Sequence, residues 1–456
     1  MIVVLSQGCA ANFGDGEKIA RILSRESEVS FEFPEPGNAA NAKADVNNAN
    51  AGENAAKANE NVAKADANVA TAPEAFYLNV CTVKGNAGAL KLLRKTVSAY
   101  PNVPIYITGC APKDFREEAV RVVPKVQFTT LSDLEQEQSS WSNAIGSTHH
   151  KVLRESPYVG IVNTEEGCLD ACAFCSTHLV KGRLHSFAPQ AIVDQVQALV
   201  DDGCLEIQLT GQDCACYGFD IGTNLAELTQ RILTHVNGNY RIRLGMGNPR
   251  HVLGYQEALL DCFTDERIYK FIHIPVQSGS ENVLKAMNRR HTARDYATLA
   301  HAFNERFSKF TLSTDLIVGY PGETPADFND TLELLKETRP TVCNITRFVA
   351  RPGTVAAHLE AATGNTQPAA VPDTVKHERS AILAETFQQI ALENNREWIG
   401  EECTVVTEKP GHRSGTTIAR NAAYRPVALQ GTFPAGQTLR VRIKDAEPFA
   451  LIADVK

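Results

Sequence analysis

Cys168, Cys172 and Cys175 stand in the run EGCLDACAFCSTHLVKGR with the spacing C-x3-C-x2-C. Three thiolates this close in sequence can grip three corners of a [4Fe–4S] cube and leave the fourth iron open, whereas four would fill the cube. An open iron can chelate the amino and carboxylate groups of S-adenosylmethionine and pass an electron into the sulfonium, releasing a 5′-deoxyadenosyl radical. His178 follows Cys175 closely, so the same residues also spell a structural zinc knot.

Three further cysteines each follow an apolar run that reads as a strand: Cys9 in LSQGCAANFG, Cys81 in YLNVCTVKGNAG and Cys110 in YITGCAPKD. Parallel strands bring their carboxyl ends to one crevice, so these distant thiols can converge. A second cluster with an open iron is the implied occupant. Cys204, Cys262, Cys343 and Cys403 read as small core residues, and Cys214 and Cys216, after GQD, as inert thiols near the active site. Twelve cysteines in 456 residues are too sparse for a disulfide scaffold, and a reducing cytoplasm would keep them as thiols. Clustering points instead to metal ligation.

These thiols need strand ends to sit on. Strands are expected at 2–7, 29–33, 76–80, 104–108 and 126–131, with helices at 16–27, 86–99 and 113–122. Such alternation predicts a parallel α/β domain over residues 1–138. Residues 37–72, nearly all Ala, Asn, Lys, Asp, Glu and Gly, interrupt it and read as a disordered insert. After a polar linker at 139–157, strands near 158–163, 205–210, 241–245, 271–275, 311–318 and 342–348 alternate with helices near 189–201, 224–235, 252–262, 292–306, 325–337 and 373–397. This second series predicts a partial or full (β/α) barrel over 154–397, with chemistry at the carboxyl ends of its strands. Short alternating strands from residue 398 to 456 predict a small β-barrel. Three domains result, and the Cys168 triad falls at the mouth of the central barrel, where a zinc knot has little use.

With Phe174 just before the third cysteine, the chain resembles the radical S-adenosylmethionine superfamily, which places an aromatic there beside the adenine. QLTGQD, HIPVQSGS and TDLIVGYPGET end three of the barrel strands, and glycines there let the backbone approach a ligand. The resemblance implies cofactor contacts from Phe174, Gly211, Gln212, Asp213, Gln277, Asp315 and Gly319. Together with the Cys9, Cys81 and Cys110 set, it narrows to the methylthiotransferase family, whose members carry an N-terminal cluster domain, a radical barrel and a C-terminal TRAM domain. That family implies two [4Fe–4S] clusters. Cys9, Cys81 and Cys110 would ligate the auxiliary cluster that holds the delivered sulfur, and Cys168, Cys172 and Cys175 the radical-generating one.

The family acts on isopentenylated or threonylcarbamoylated adenosine in tRNA, or on a ribosomal-protein aspartate. NVCTVKGNAG (with Lys84), CSTHLVKGRLHSFAP, DIGTNL, RLGMGNP, HIPVQSGS and RPGT resemble the archaeal and eukaryotic threonylcarbamoyladenosine branch, while Cys214 and Cys216 depart from it. The implied reaction places a methylthio group on C2 of that adenosine, next to the anticodon. A ring C–H bond has no useful acidity, so no acid–base pair is nominated. The whole chain carries a net charge of −8, yet residues 398–456 hold eight basic against six acidic residues. Arg440, Arg442 and Lys444 alternate along one strand and are the expected RNA-phosphate contacts. Lys181, Arg183, Arg289 and Arg290 are further candidates near the barrel mouth. An electron donor and a sulfur source are expected as partners, and no membrane, because no apolar run approaches the roughly 20 residues that a span requires. A cytoplasmic location is expected. A rival of another class is a non-enzymatic RNA-binding protein whose cysteines hold zinc.

Overall fold

A computed structural model describes residues 1–25, 27–34, 72–82, 86–134, 153–361 and 370–456. The insert at 37–72 lies outside them save for its last residue, as do Lys84 and most of the 139–157 linker. The chain forms two compact units, Met1–Leu153 and Arg154–Lys456.

In the first unit, β1 (Ile2–Ser6), β2 (Val29–Ser30), β3 (Ala75–Cys81), β4 (Ile105–Cys110) and β5 (Gln127–Phe128) form a parallel sheet in the order β2-β1-β3-β4-β5. Side chains alternate across a strand, and β3 is apolar on both faces. Phe76, Leu78 and Val80 pack with Leu90, Leu93 and Phe115, while Ala75 and Tyr77 pack oppositely with Val4 and Ile19. A strand buried on both sides belongs to the interior of a parallel sheet. The edge strands β2 and β5 are only two residues each, shorter than the runs at 29–33 and 126–131 suggest.

The helix expected at 16–27 begins instead at Ala10 and ends at Leu23. A Cβ on Gly16 would lie 1.9 Å from the Ser6 Oγ. That glycine lets the helix lie directly on β1. Cys9 consequently becomes the residue that caps the helix.

In the second unit, β6 (Val159–Asn163), β9 (Glu206–Thr210) and β10 (Arg241–Leu244) form one parallel sheet, with a small ribbon of β7 (Glu165–Glu166) and β8 (His185–Ser186) beside them in sequence. The strands β11 (Phe271–His273), β12 (Thr311–Val318) and β13 (Val342–Arg347) form another. An isolated parallel bridge between Ile242 and Ile268 continues the curve from one to the other, giving an open (β/α) barrel. The helix expected at 252–262 is two pieces, Pro249–Leu253 and Gln256–Cys262. Thr292 and Thr324 each close a capping box at a barrel helix, satisfying backbone donors that would otherwise be orphaned.

Helix Asp373–Arg396 leads into a closed barrel of β14 (Glu402–Pro410), β15 (Thr416–Asn421), β16 (Pro426–Gln430), β17 (Thr438–Glu447) and β18 (Ala450–Val455), ordered β14-β15-β16-β18-β17. Its core is Val405, Val427, Leu429, Val441, Ile443 and Leu451. The seam with the larger barrel is buried and polar. Arg425, 5% exposed, donates to Asn395 Oδ1 and, at 3.2 Å, to the Phe310 carbonyl. The Tyr424 hydroxyl donates to Glu206 Oε1 at 2.9 Å, and the Lys270 N–H donates to the Ala422 carbonyl at 2.9 Å.

Candidate active site

Cys9, Cys81 and Cys110 sit at the carboxyl ends of three adjacent strands. Cys9 follows β1, while Cys81 and Cys110 are register partners across β3 and β4. Cys9 is exposed, and contact with the Cys81 thiol pushes its own thiol far up; backbone N–H groups of the helix start, at Asn12 and Ala11, pull the other way. Gly8 makes the contact possible: its φ is +110°, and a Cβ there would lie 2.2 Å from the Cys81 Cβ. Two asparagines not singled out from the sequence support this end of the sheet. Asn12 donates to the Gln7 and Asn79 carbonyls at 2.6 and 2.9 Å, and Asn79 donates back to the Asn12 carbonyl. Thr82 Oγ1 donates to the Cys110 carbonyl at 2.9 Å.

In the second unit, Cys168, Cys172 and Cys175 lie on the loop between β7 and helix Thr177–Lys181, all half-buried. The Asp170 N–H points to Cys168 Sγ at 3.4 Å, and Arg289 Nη1 lies 3.5 Å from Cys172 Sγ. Burial pushes the Cys172 thiol up to about 11, against the pull of that guanidinium. Asp170 ties the loop to the barrel: it accepts from Asn248 Nδ2 at 2.5 Å and Arg250 Nη1 at 2.7 Å, and pairs with His251 Nε2 at 3.2 Å. Burial alone would raise the Asp170 carboxyl, but His251 and Arg250 hold it below the usual range.

Neither triad gathers its three sulfurs within 4.8 Å of one another, and His178 joins no such group, among the described residues. A single tetrahedral zinc ion with Zn–S near 2.3 Å needs ligand sulfurs roughly 3.8 Å apart. The wider spread and the all-thiol donor sets fit a cube better than one ion.

Several residues expected to touch the cofactor have partners within the chain. Gln212 Oε1 accepts from the Gly167 N–H at 2.7 Å, and Asp213 Oδ1 from the Asn248 N–H at 2.9 Å. Asp315 Oδ1 lies 3.0 Å from His273 Nε2 and accepts from Asn344 Nδ2 at 2.7 Å. Gln277 carries a φ of +78° and bridges Leu316. Phe174 packs against the cluster of Val283, Met287, Tyr320 and Phe348. At the two glycines a side chain would collide with neighbouring side chains of the protein itself. A Cβ on Gly211 would meet Glu165 Oε1 at 1.5 Å, and one on Gly319 would meet Lys376 Cγ at 2.3 Å.

Glu165, not singled out from the sequence, is fully buried beneath this site, and its Oε1 has no hydrogen-bond partner. Burial raises its carboxyl from 4.5 to about 8; the Thr164 hydroxyl opposes the shift, and Asp213 adds to it. A carboxyl raised in the fold binds a proton that the unfolded chain has released, so stability falls as pH rises from about 4.5 to about 8 and levels beyond. Glu165→Gln should match the parent near pH 5 and melt higher at pH 8, the difference growing by at most about 1.4 kcal/mol per pH unit. Parallel melting curves at both pH values would show that Glu165 is ionised in the fold.

Arg440, Arg442 and Lys444 are exposed on β17, but acids on flanking strands accompany them. Arg440 lies 3.8 Å from Glu402, and Lys444 pairs with Asp454 at 2.5 Å. Exposed pairs of this kind contribute little and exchange readily for phosphate. Near the barrel mouth, Lys181 pairs with Glu166 at 2.9 Å and Arg289 turns inward to the Pro275 carbonyl at 2.7 Å, which leaves Arg183 and Arg290 as the exposed cations. Cys204 and Cys262 are buried as expected of core residues, Cys343 and Cys403 are only half-buried, and Cys214 and Cys216 are buried.

A model of the radical SAM superfamily matches residues 162–335, and a TRAM-domain model matches residues 396–456. Fold and match together define a radical S-adenosylmethionine enzyme, a class that implies that cofactor and a [4Fe–4S] cluster. The chain is 31% identical to the probable threonylcarbamoyladenosine tRNA methylthiotransferase of Pyrococcus horikoshii, over 100% of this chain and 99% of that relative. It belongs to the threonylcarbamoyladenosine tRNA methylthiotransferase family. Other similar members are the probable enzyme of Archaeoglobus fulgidus, at 41% identity over 64% of this chain and 66% of that one, and the Homo sapiens enzyme, at 31% over 78% and 63%. Among solved structures, the chain is similar to the radical S-adenosylmethionine methyltransferase TsrM from Kitasatospora setae, with a TM-score of 0.49 and 13% identity over 78% of this chain and 77% of that one. No described helix is long and apolar enough to cross a membrane.

Proposed function

We propose that this enzyme places a methylthio group on C2 of N6-threonylcarbamoyladenosine next to the anticodon of tRNA. The observation that carries the reading is the doubled triad: two sets of three cysteines, each beside the carboxyl ends of parallel strands. In this reading Cys168, Cys172 and Cys175 hold the radical-generating cluster, and Cys9, Cys81 and Cys110 hold a second one that carries the sulfur. When bound, an iron–sulfur cube with an open iron supplies the one-electron chemistry that a ring C–H bond demands. The protein contributes position. Asp170 fixes the cysteine loop, Arg289 places a positive charge beside Cys172, and the apolar group around Phe174 excludes water from one side. Gln212, Asp213, Gln277 and Asp315 are the polar groups proposed to orient S-adenosylmethionine. The reading puts the enzyme in the cytoplasm, with an electron donor and a sulfur source as partners.

Nucleoside mass spectrometry of tRNA from a strain lacking the gene tests the substrate. The methylthio form of threonylcarbamoyladenosine should disappear, unmethylthiolated threonylcarbamoyladenosine should accumulate, and the plasmid-borne gene should restore the first. An unchanged methylthio level, with loss of a methylthiolated isopentenyladenosine or ribosomal-protein aspartate instead, would reassign it.

The small barrel is proposed as the RNA grip. Changing Arg440, Arg442 and Lys444 together to Ala should weaken tRNA binding and make the log–log salt slope shallower by up to about 2. A slope equal to the parent's removes β17 from the RNA surface.

A further inference from the structure

Cys168 has a second sulfur beside it. Among the described residues, Cys168, Asp213 and Cys216 each bring one ligand atom to within 4.8 Å of the other two. Asp213 and Cys216 are buried and Cys168 is half-buried. The first comes from the loop after β7, while the other two come from the turn after β9, where Cys214–Cys216 forms a single 3-10 turn.

That turn is held on several sides. The Cys216 N–H donates to the Asp213 carbonyl at 3.0 Å, and the buried Tyr255 hydroxyl donates to the Ala215 carbonyl at 2.8 Å. The Asn248 N–H fixes Asp213 Oδ1 at 2.9 Å, whereas Oδ2 faces His251 Nε2 at 3.6 Å, beyond a hydrogen bond. Two thiols and a carboxyl group at this spacing form a soft, nearly complete ligand set. Tetrahedral metal–sulfur and metal–oxygen bonds near 2.3 and 2.0 Å require separations of roughly 3.5–3.8 Å, so a contraction of at most about 1.3 Å is needed.

We propose that Cys168, Asp213 and Cys216 form a site for a single thiophilic divalent ion of the ferrous or zinc class. On binding, two S–H bonds break, two metal–sulfur bonds form and two protons leave; the metal stays divalent and no electron moves. Cys168 belongs both to this site and to the proposed cluster triad, so a bound ion and a completed triad exclude each other. That exclusion rests on the cluster assignment. The site itself does not.

The test uses the full-length chain carrying Cys172→Ser and Cys175→Ser, which keeps all three proposed ligands and loses the triad. Iron is removed anaerobically, and Co(II) serves as the probe because thiolate ligation gives it a charge-transfer absorption. Adding Cys216→Ser should remove about one equivalent of tightly bound Co(II) together with its share of that absorption. Cys216→Ala should do the same, and Cys204→Ser, at a buried thiol elsewhere, should not. Equal cobalt stoichiometry with and without Cys216 overturns the proposal. Fe(II) and Zn(II) are then titrated against that equivalent. Displacement by either supports the site and says which ion it takes, and displacement by neither overturns it. Methylthio transfer is not read, so failure here leaves the tRNA assignment standing.

Discussion

Replacing Cys168, Cys172 and Cys175 together by Ala is expected to abolish release of 5′-deoxyadenosine from S-adenosylmethionine. Replacing Cys9, Cys81 and Cys110 should leave that release measurable and stop methylthio transfer. The difference follows from where the thiols lie. The first set is on a loop of the (β/α) barrel and the second on strand ends of a separate compact unit, so each can be emptied without touching the other. Two cubes correspond to about eight irons, and each triple variant should keep about half. A Cys9, Cys81 and Cys110 variant that retained full iron and full transfer would make those cysteines ordinary packing residues.

The second large effect is expected at a residue that touches no cofactor in the proposed scheme. Asp170→Ala removes the acceptor shared by Asn248, Arg250 and His251 and strands their buried donors. Breaking one side of a buried ion pair destabilises by on the order of 3 kcal/mol, and Arg250, a third exposed, places this case toward the lower end. The loop bearing the three cysteines should then lose its hold on the barrel. Iron retention and 5′-deoxyadenosine release should fall severely, while the cluster held by the other unit stays. Asp170→Asn keeps the neutral acceptor and should recover part of the iron. If Asp170→Ala bound iron and cleaved S-adenosylmethionine like the parent, the network would be shown not to position the loop.

The strand ends were legible because apolar runs of five to seven residues stop at a cysteine or just before one, as in YLNVC and YITGC. Helix Ala10–Leu23 starts six residues before the expected start at 16, and no local spacing announces that. Here Gly16 serves the close approach to Ser6, a fact of tertiary packing. Asp170 stood in plain view between two cysteines, yet its partners lie 78 to 81 positions further along, and no local spacing announces them. Gly211 and Gly319 were expected near a ligand, but the side chains that crowd their missing Cβ positions could not be read from the sequence. Those side chains belong to Glu165 and Lys376. Cys216 gave no sign of Cys168, since their pairing depends on two loops meeting at the mouth of a barrel.

The seam at Arg425 and Tyr424 has a mechanical meaning. With helix Asp373–Arg396 leading straight into the small barrel and Arg425 sunk into the joint, this part of the enzyme works as a caliper rather than a tethered hand. An RNA gripped on β17, as proposed, would be presented to the cysteine loop at a fixed span, without the search that a flexible tether would impose. Reach then becomes a filter. In that scheme a stem–loop of the right length would bring its base to the jaws, and one a turn too short or too long would not, whatever its sequence.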